Sequence, residues 1–212
     1  METQVLSATD PFALSIALEI LRQGGMIAFP TDTVYGVGAH AFQPEAVEQL
    51  YTVKGRSAEK AIPLLIASAG DLPLVAAEVP EAARRLAARF WPGGLTLVVP
   101  RHPRVPDAVS PGPTVAVRVP DHRCPLALIA ALGAPLAATS ANLSGQPSPT
   151  TAEQVLAQLG GHIALILDGG SCPGGVPSTV VDVTVDPPVI LRHGAISADV
   201  ILEALRNLRR EE

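Results

Sequence analysis

Apolar residues return along this chain with two different periods. Stretches in which they recur every three or four positions predict helices, and short runs rich in Val, Ile and Leu predict strands. Asp10-Pro11 supplies a cap and a first-turn proline, and the helix they open should stop at Gly24-Gly25. A strand follows from Met26 to Phe29, then a polar turn, Pro30-Thr31-Asp32-Thr33. A second helix starts at Pro44, carries Val47, Leu50 and Tyr51 on one face, and hands over to a loop at Lys54. Further strands are expected at Pro63 to Ala67, Leu95 to Val99, Thr114 to Val119, Pro135 to Thr139, Ile163 to Leu167, Thr179 to Val183 and Val189 to Leu191. Between them the pattern predicts an Ala/Arg-rich helix opened by Pro80, helices near Leu126 to Leu132 and Ala152 to Leu159, and a closing helix from Ser197 to Leu208.

Strands interleaved with helices predict an α/β fold. Several strand-to-strand links are too short for helical crossovers, so the sheet should be mixed, with antiparallel pairs. No repeat and no linker divides the chain, which reads as a single domain over residues 1–212.

Composition narrows the classes. No stretch approaches the roughly 20 apolar residues of a membrane span, and the N-terminus lacks a secretory pattern. Two distant cysteines, Cys124 and Cys172, with no other metal ligands near them, argue against a disulfide framework or a metal site. A cytoplasmic protein is the expectation. A net charge of −5 and 3% aromatic residues argue against a broad nucleic-acid face. The 15 basic residues include only two lysines, Lys54 and Lys60, six positions apart.

That segment, Lys54-Gly55-Arg56, can embrace a triphosphate or can be a solvated charged loop. The turn at Thr31 to Thr33, the segment Thr139-Ser140-Ala141-Asn142 at a strand end, and the loop leading to Ser178 and Thr179 each place small polar groups where open α/β sheets bind ligands. Each also fits an ordinary turn. Arg118 and Arg192 sit in strand-like runs and, where their heads are buried, need anionic partners, from a ligand or from a protein carboxylate. Alternation puts Arg118 beside Ala116, opposite Val115, Val117 and Val119. Gly36-Val37-Gly38-Ala39-His40-Ala41 matches a dinucleotide-type glycine pattern, but a polar turn separates it from the preceding strand.

Seven segments in order resemble the YrdC-like family: PTDTVYGVG at 30–38, KGR at 54–56, WPGGLTLVV at 91–99, TVAVRVPDH at 114–122, TSANLSG at 139–145, PSTVVD at 177–182 and LRHGAI at 191–196. The resemblance covers a core of about residues 8–205. This chain departs from the family pattern at Ser57 and the residues up to Leu64. The resemblance implies a twisted, mostly mixed or antiparallel sheet with flanking helices around a large concave groove. It implies a nucleotidyltransferase that joins L-threonine, bicarbonate or CO2, and ATP into threonylcarbamoyl-AMP with release of pyrophosphate. It further implies that Mg2+ accompanies ATP, that no metal is resident, and that a tRNA threonylcarbamoyl transferase machinery takes the product, with at most weak direct tRNA binding. The site residues it implies are Lys54 and Arg56 for catalysis and Thr31, Arg118 and Ser178 for threonine. For ATP it implies Lys54, Arg56, Thr114, Ser140, Asn142, Ser148 and Arg192. The alternative is an RNA-binding or ribosome-maturation module that uses the same groove.

Overall fold

A computed structural model describes residues 2–57 and 59–208, with side chains described up to 206. In chain order the elements are β1 (Gln4–Ser7), α1 (Ala13–Arg22), β2 (Ile27–Phe29), β3 (Gly36–His40), α2 (Pro44–Lys54), β4 (Leu64–Leu65) and a 3-10 turn (Ala69–Leu74). They continue with α3 (Glu81–Phe90), β5 (Leu95–Pro100), β6 (Thr114–Arg118), α4 (Arg123–Leu132), β7 (Leu136–Ser140) and α5 (Ala152–Leu159). β8 (Leu165–Asp168), β9 (Thr179–Asp182), β10 (Val189–Arg192) and α6 (Ala198–Leu208) complete the fold. The strands form one ten-stranded sheet in the order β1-β8-β2-β3-β7-β4-β6-β5-β9-β10. It is mixed: β8 runs parallel to both β1 and β2, while β2, β3, β7 and β4 pair antiparallel in succession.

The periodic segments form the elements expected of them. Two strands, β1 and β3, were not expected, and β1 lies ahead of the span assigned to the core. β3 hides from a hydropathy reading because two of its five residues are glycines. Their bareness is required. A Cβ on Gly36 would stand 3.1 Å from Phe29 Cε2, and one on Gly38 would stand 3.1 Å from the Ala137 carbonyl oxygen. The glycine pattern there is an interior strand packed under an aromatic ring. A further difference concerns Lys54, which ends α2 rather than lying on a loop; the loop begins at Gly55, whose positive φ of 58° closes the helix.

Paired residues on neighbouring strands share a face, so the register shows how the two faces are covered. On one face, Ala28, Val37, Leu64, Val117, Leu97 and Val181 pack beneath residues of α2, α3, α5 and α6, including Leu50, Leu86, Val155 and Ile201. On the other, α1 and α4 bury Ile27, Phe29, Leu65, Leu136, Ala138, Leu165 and Leu167. That second apolar cluster includes no residue of β5, β6, β9 or β10. The same face of those four strands carries Thr96, Val98, Thr114, Ala116, Arg118 and Val180. The step between the covered and uncovered halves forms the groove.

Candidate active site

A cavity of about 240 Å³ sits at that step. One wall comes from Thr31, Thr33, Val34, Tyr35 and Gly36, another from Ala138, Thr139, Ser140 and Ser148, and a third from Thr96, Pro177, Ser178 and Arg192. Arg118, Arg56, Pro63 and Leu65 complete it.

Strand geometry delivers the arginines. Arg118 follows the alternation of β6 onto the groove face. Arg192 does not follow simple alternation. Ile190 pairs with Val181 on the packed face, and a register shift then sets Arg192 opposite Val180 on the groove face. The bulge re-aims one side chain, as bulges near sites do.

Arg118 is 7% exposed, and each of its three nitrogens donates one hydrogen bond. Its Nη2 donates to Asp32 Oδ1 at 2.6 Å, Nη1 to Thr33 Oγ1 at 3.0 Å, and Nε to the Gly93 carbonyl at 2.9 Å. Of the two partners open to it from sequence, a protein carboxylate is present, and the guanidinium lines the cavity as well. Arg192 has no carboxylate partner among the described residues; Nε and Nη2 donate to the Ser178 carbonyl, and Nη2 also to Ser178 Oγ. Arg56 donates to the carbonyls of Lys60 and Ala61, which fixes the loop after α2. Burial first, then the charges of Arg118 and Arg56, holds Arg192 below the usual arginine pKa. Arg118 and Arg56 lie close enough to Arg192 for their charges to act on it, and such a cluster, offset by the carboxylate of Asp32, can receive an anion.

Lys54 takes a different position. It is 3% exposed, outside the cavity lining, and its Nζ donates to the carbonyls of Ser140 and Asn142. Burial, and secondly Arg56, pushes its ammonium down to about 8. Asn142 also lies behind the wall, its Nδ2 donating to the carbonyls of Leu143 and Gln146, and its buried Oδ1 has no partner among the described residues. Thr114 shares the groove face but stands at the far end of β6, four residues or about 13 Å from Arg118. Of the expected residues, Thr31, Arg56, Arg118, Ser140, Ser148, Ser178 and Arg192 meet in the cavity, while Lys54, Asn142 and Thr114 do not line it.

The Thr31 hydroxyl is committed to the turn. It donates to the Val34 carbonyl at 2.7 Å and accepts from the backbone N–H groups of Thr33 and Val34. The sequence puts Asp32 and Thr33 in a candidate ligand turn without a separate role for either, and it gives none to Thr96. For Thr96 a signal exists: a hydroxyl inside the apolar run Leu95 to Val99, 2% exposed in the fold. Close packing seats the third wall. A Cβ on Gly174 would approach the Asp32 carbonyl oxygen to 2.7 Å, and one on Gly194 would meet the Pro177 carbonyl oxygen at 2.3 Å.

The Sua5/YciO/YrdC family model, described as telomere recombination, matches residues 19–194. A protein from Pyrococcus abyssi named threonylcarbamoyl-AMP synthase is 45% identical over 94% of this chain and 59% of its own length. One of the same name from Bacillus subtilis is 47% identical over 94% of this chain and 58% of its own length. This chain therefore spans less than two thirds of the length of those relatives. The structure of P. abyssi Sua5 complexed with L-threonine superposes with a TM-score of 0.88 at 46% identity, covering 90% of this chain and 56% of that one.

Proposed function

The chain belongs to the Sua5/YciO/YrdC family, and from that premise we propose that it makes threonylcarbamoyl-AMP from L-threonine, bicarbonate or CO2, and ATP. One observation carries the reading: Arg56, Arg118 and Arg192 converge with hydroxyls on a cavity of about 240 Å³ that no carboxylate lines among the described residues, Asp32 pairing with Arg118 outside the lining. Such a cavity suits one substrate bearing phosphates and another bearing a carboxylate.

In the proposed reaction the amine of threonine attacks CO2 and loses a proton, giving a carbamate. A carbamate oxygen then attacks the α-phosphorus of ATP, the bond from that phosphorus to the bridging oxygen breaks, and pyrophosphate leaves. This displacement requires positioning and charge neutralisation, not a protein nucleophile. Thr31, Arg118 and Ser178 stand for the threonine end. Arg56 and Arg192, with Ser140 and Ser148 on the facing wall, stand for the phosphates, and Thr114 extends the ATP surface along β6. Lys54 and Asn142 hold the 140–142 segment from behind.

Mg2+ fits this scheme as part of the MgATP substrate. Among the described residues no three His, Cys, Asp or Glu side chains come together to hold a resident ion, and Mg2+ binds readily through substrate phosphates. A transferase acting on tRNA would consume the product. Both cysteines are free thiols, which suits a reducing cytoplasm, and among the described residues no helix is long and apolar enough to cross a membrane. The RNA-binding alternative is not favoured, since the named relatives are synthases.

The test is direct. Purified protein with MgATP, threonine and bicarbonate should release pyrophosphate without tRNA and yield a nucleotide with the mass of threonylcarbamoyl-AMP. Equal release with serine, or with no amino acid, rejects the assignment.

A further inference from the structure

Thr96 interrupts the apolar run of β5, and its hydroxyl lies on the cavity wall almost closed to solvent. Its partner is Ser178 Oγ at 2.7 Å. Ser178 Oγ also accepts from Arg192 Nη2 at 3.1 Å. Two hydroxyls carry two protons, and their mutual hydrogen bond uses one. Among the described residues neither oxygen has a further acceptor within hydrogen-bond reach. One O–H is thus left unmet beside a cavity, where a buried donor is costly unless a ligand satisfies it.

Which hydroxyl keeps the spare proton follows from their placement. Ser178, at the mouth of β9 and 5% exposed, is the more open of the two, and Thr96 is set back in β5 at 2%. When Thr96 donates to Ser178, the Ser178 proton is released toward the cavity. We infer that Thr96 is a positioning residue that fixes Ser178 as a hydrogen-bond donor to an oxygen of the amino-acid substrate. The inference rests on reading this cavity as the threonine site.

Thr96→Val keeps the shape of the side chain and removes the hydroxyl. Loss of the oriented donor should raise the threonine KM by about tenfold and leave the ATP KM and the melting temperature near wild type. Thr96→Ser should restore the wild-type threonine KM. Because Thr96 acts through Ser178, adding Thr96→Val to Ser178→Ala should cost nothing more than Ser178→Ala alone. An unchanged threonine KM in Thr96→Val, or an equal rise in both KM values, overturns the inference while wild-type activity still supports the synthase reading. A wild type whose pyrophosphate release ignores threonine removes the reading and the inference together.

Discussion

At the scale of single residues, the two cations that stand out in the sequence part company in the fold. Arg118 is held by Asp32, Thr33 and the Gly93 carbonyl, a fork that lysine cannot reproduce. Arg118→Lys should therefore raise the threonine KM by about tenfold or more, with little effect on the ATP KM. It should also lower the melting temperature, since Asp32 keeps a charge nearby but loses geometry. A lower melting temperature with a normal threonine KM would assign Arg118 to structure alone. Lys54 is buried, so its removal should act on stability. Lys54→Met should cost about 1.5–3 kcal/mol, the usual contribution of a hydrogen bond to a charged group. Its folded pKa of about 8 lies below the ordinary lysine value of 10.5. Between those values the unfolded chain binds a proton that the folded chain has released, so the contribution of Lys54 strengthens as pH rises through that window. Urea midpoints of wild type and Lys54→Met should diverge from pH 7 to pH 10; a constant gap would refute the shift.

At the scale of elements, the third wall depends on how β9 and β10 are seated. The Gly194 position leaves no room for a side chain against Pro177 and Ser178. Gly194→Ala should push Ser178 and Arg192 out of place, raising both substrate KM values and lowering the melting temperature; kinetics like wild type would show that the wall tolerates the shift. This scale also explains what the sequence made legible. Helices such as α5, bounded by Thr151 and Gly160, carry both their period and their cap in local residues. Arg118 follows strict alternation and reads correctly. Arg192 reaches the groove through a bulge, and no local pattern announces a bulge. β3 escapes because its glycines answer to Phe29 on the adjacent strand and to Ala137, about a hundred positions on, contacts that no hydropathy pattern shows. Lys54 looks like an open phosphate ligand because its carbonyl partners, at Ser140 and Asn142, lie 86 and 88 positions away.

At the scale of the whole molecule, the walls of the cavity come from segments spread between Thr31 and Arg192, so occupancy should stabilise the fold as a unit. MgATP at 100 times its dissociation constant should add about 2.7 kcal/mol to the unfolding free energy. Melting curves should rise with MgATP and again with threonine, and no shift with either would argue against substrate binding here. The placement of β8 has a consequence for how the protein is made. β8 lies between β1 and β2, and Thr3 donates to the carbonyl of Ile163, 160 positions further on. While a ribosome threads the chain out from its N-terminus, β1 can find no lasting place until β8 emerges, on the order of ten to thirty seconds later at ordinary elongation rates. Of the described strands β1 is the earliest to be translated, and it stays unpaired until some 160 further residues have followed it.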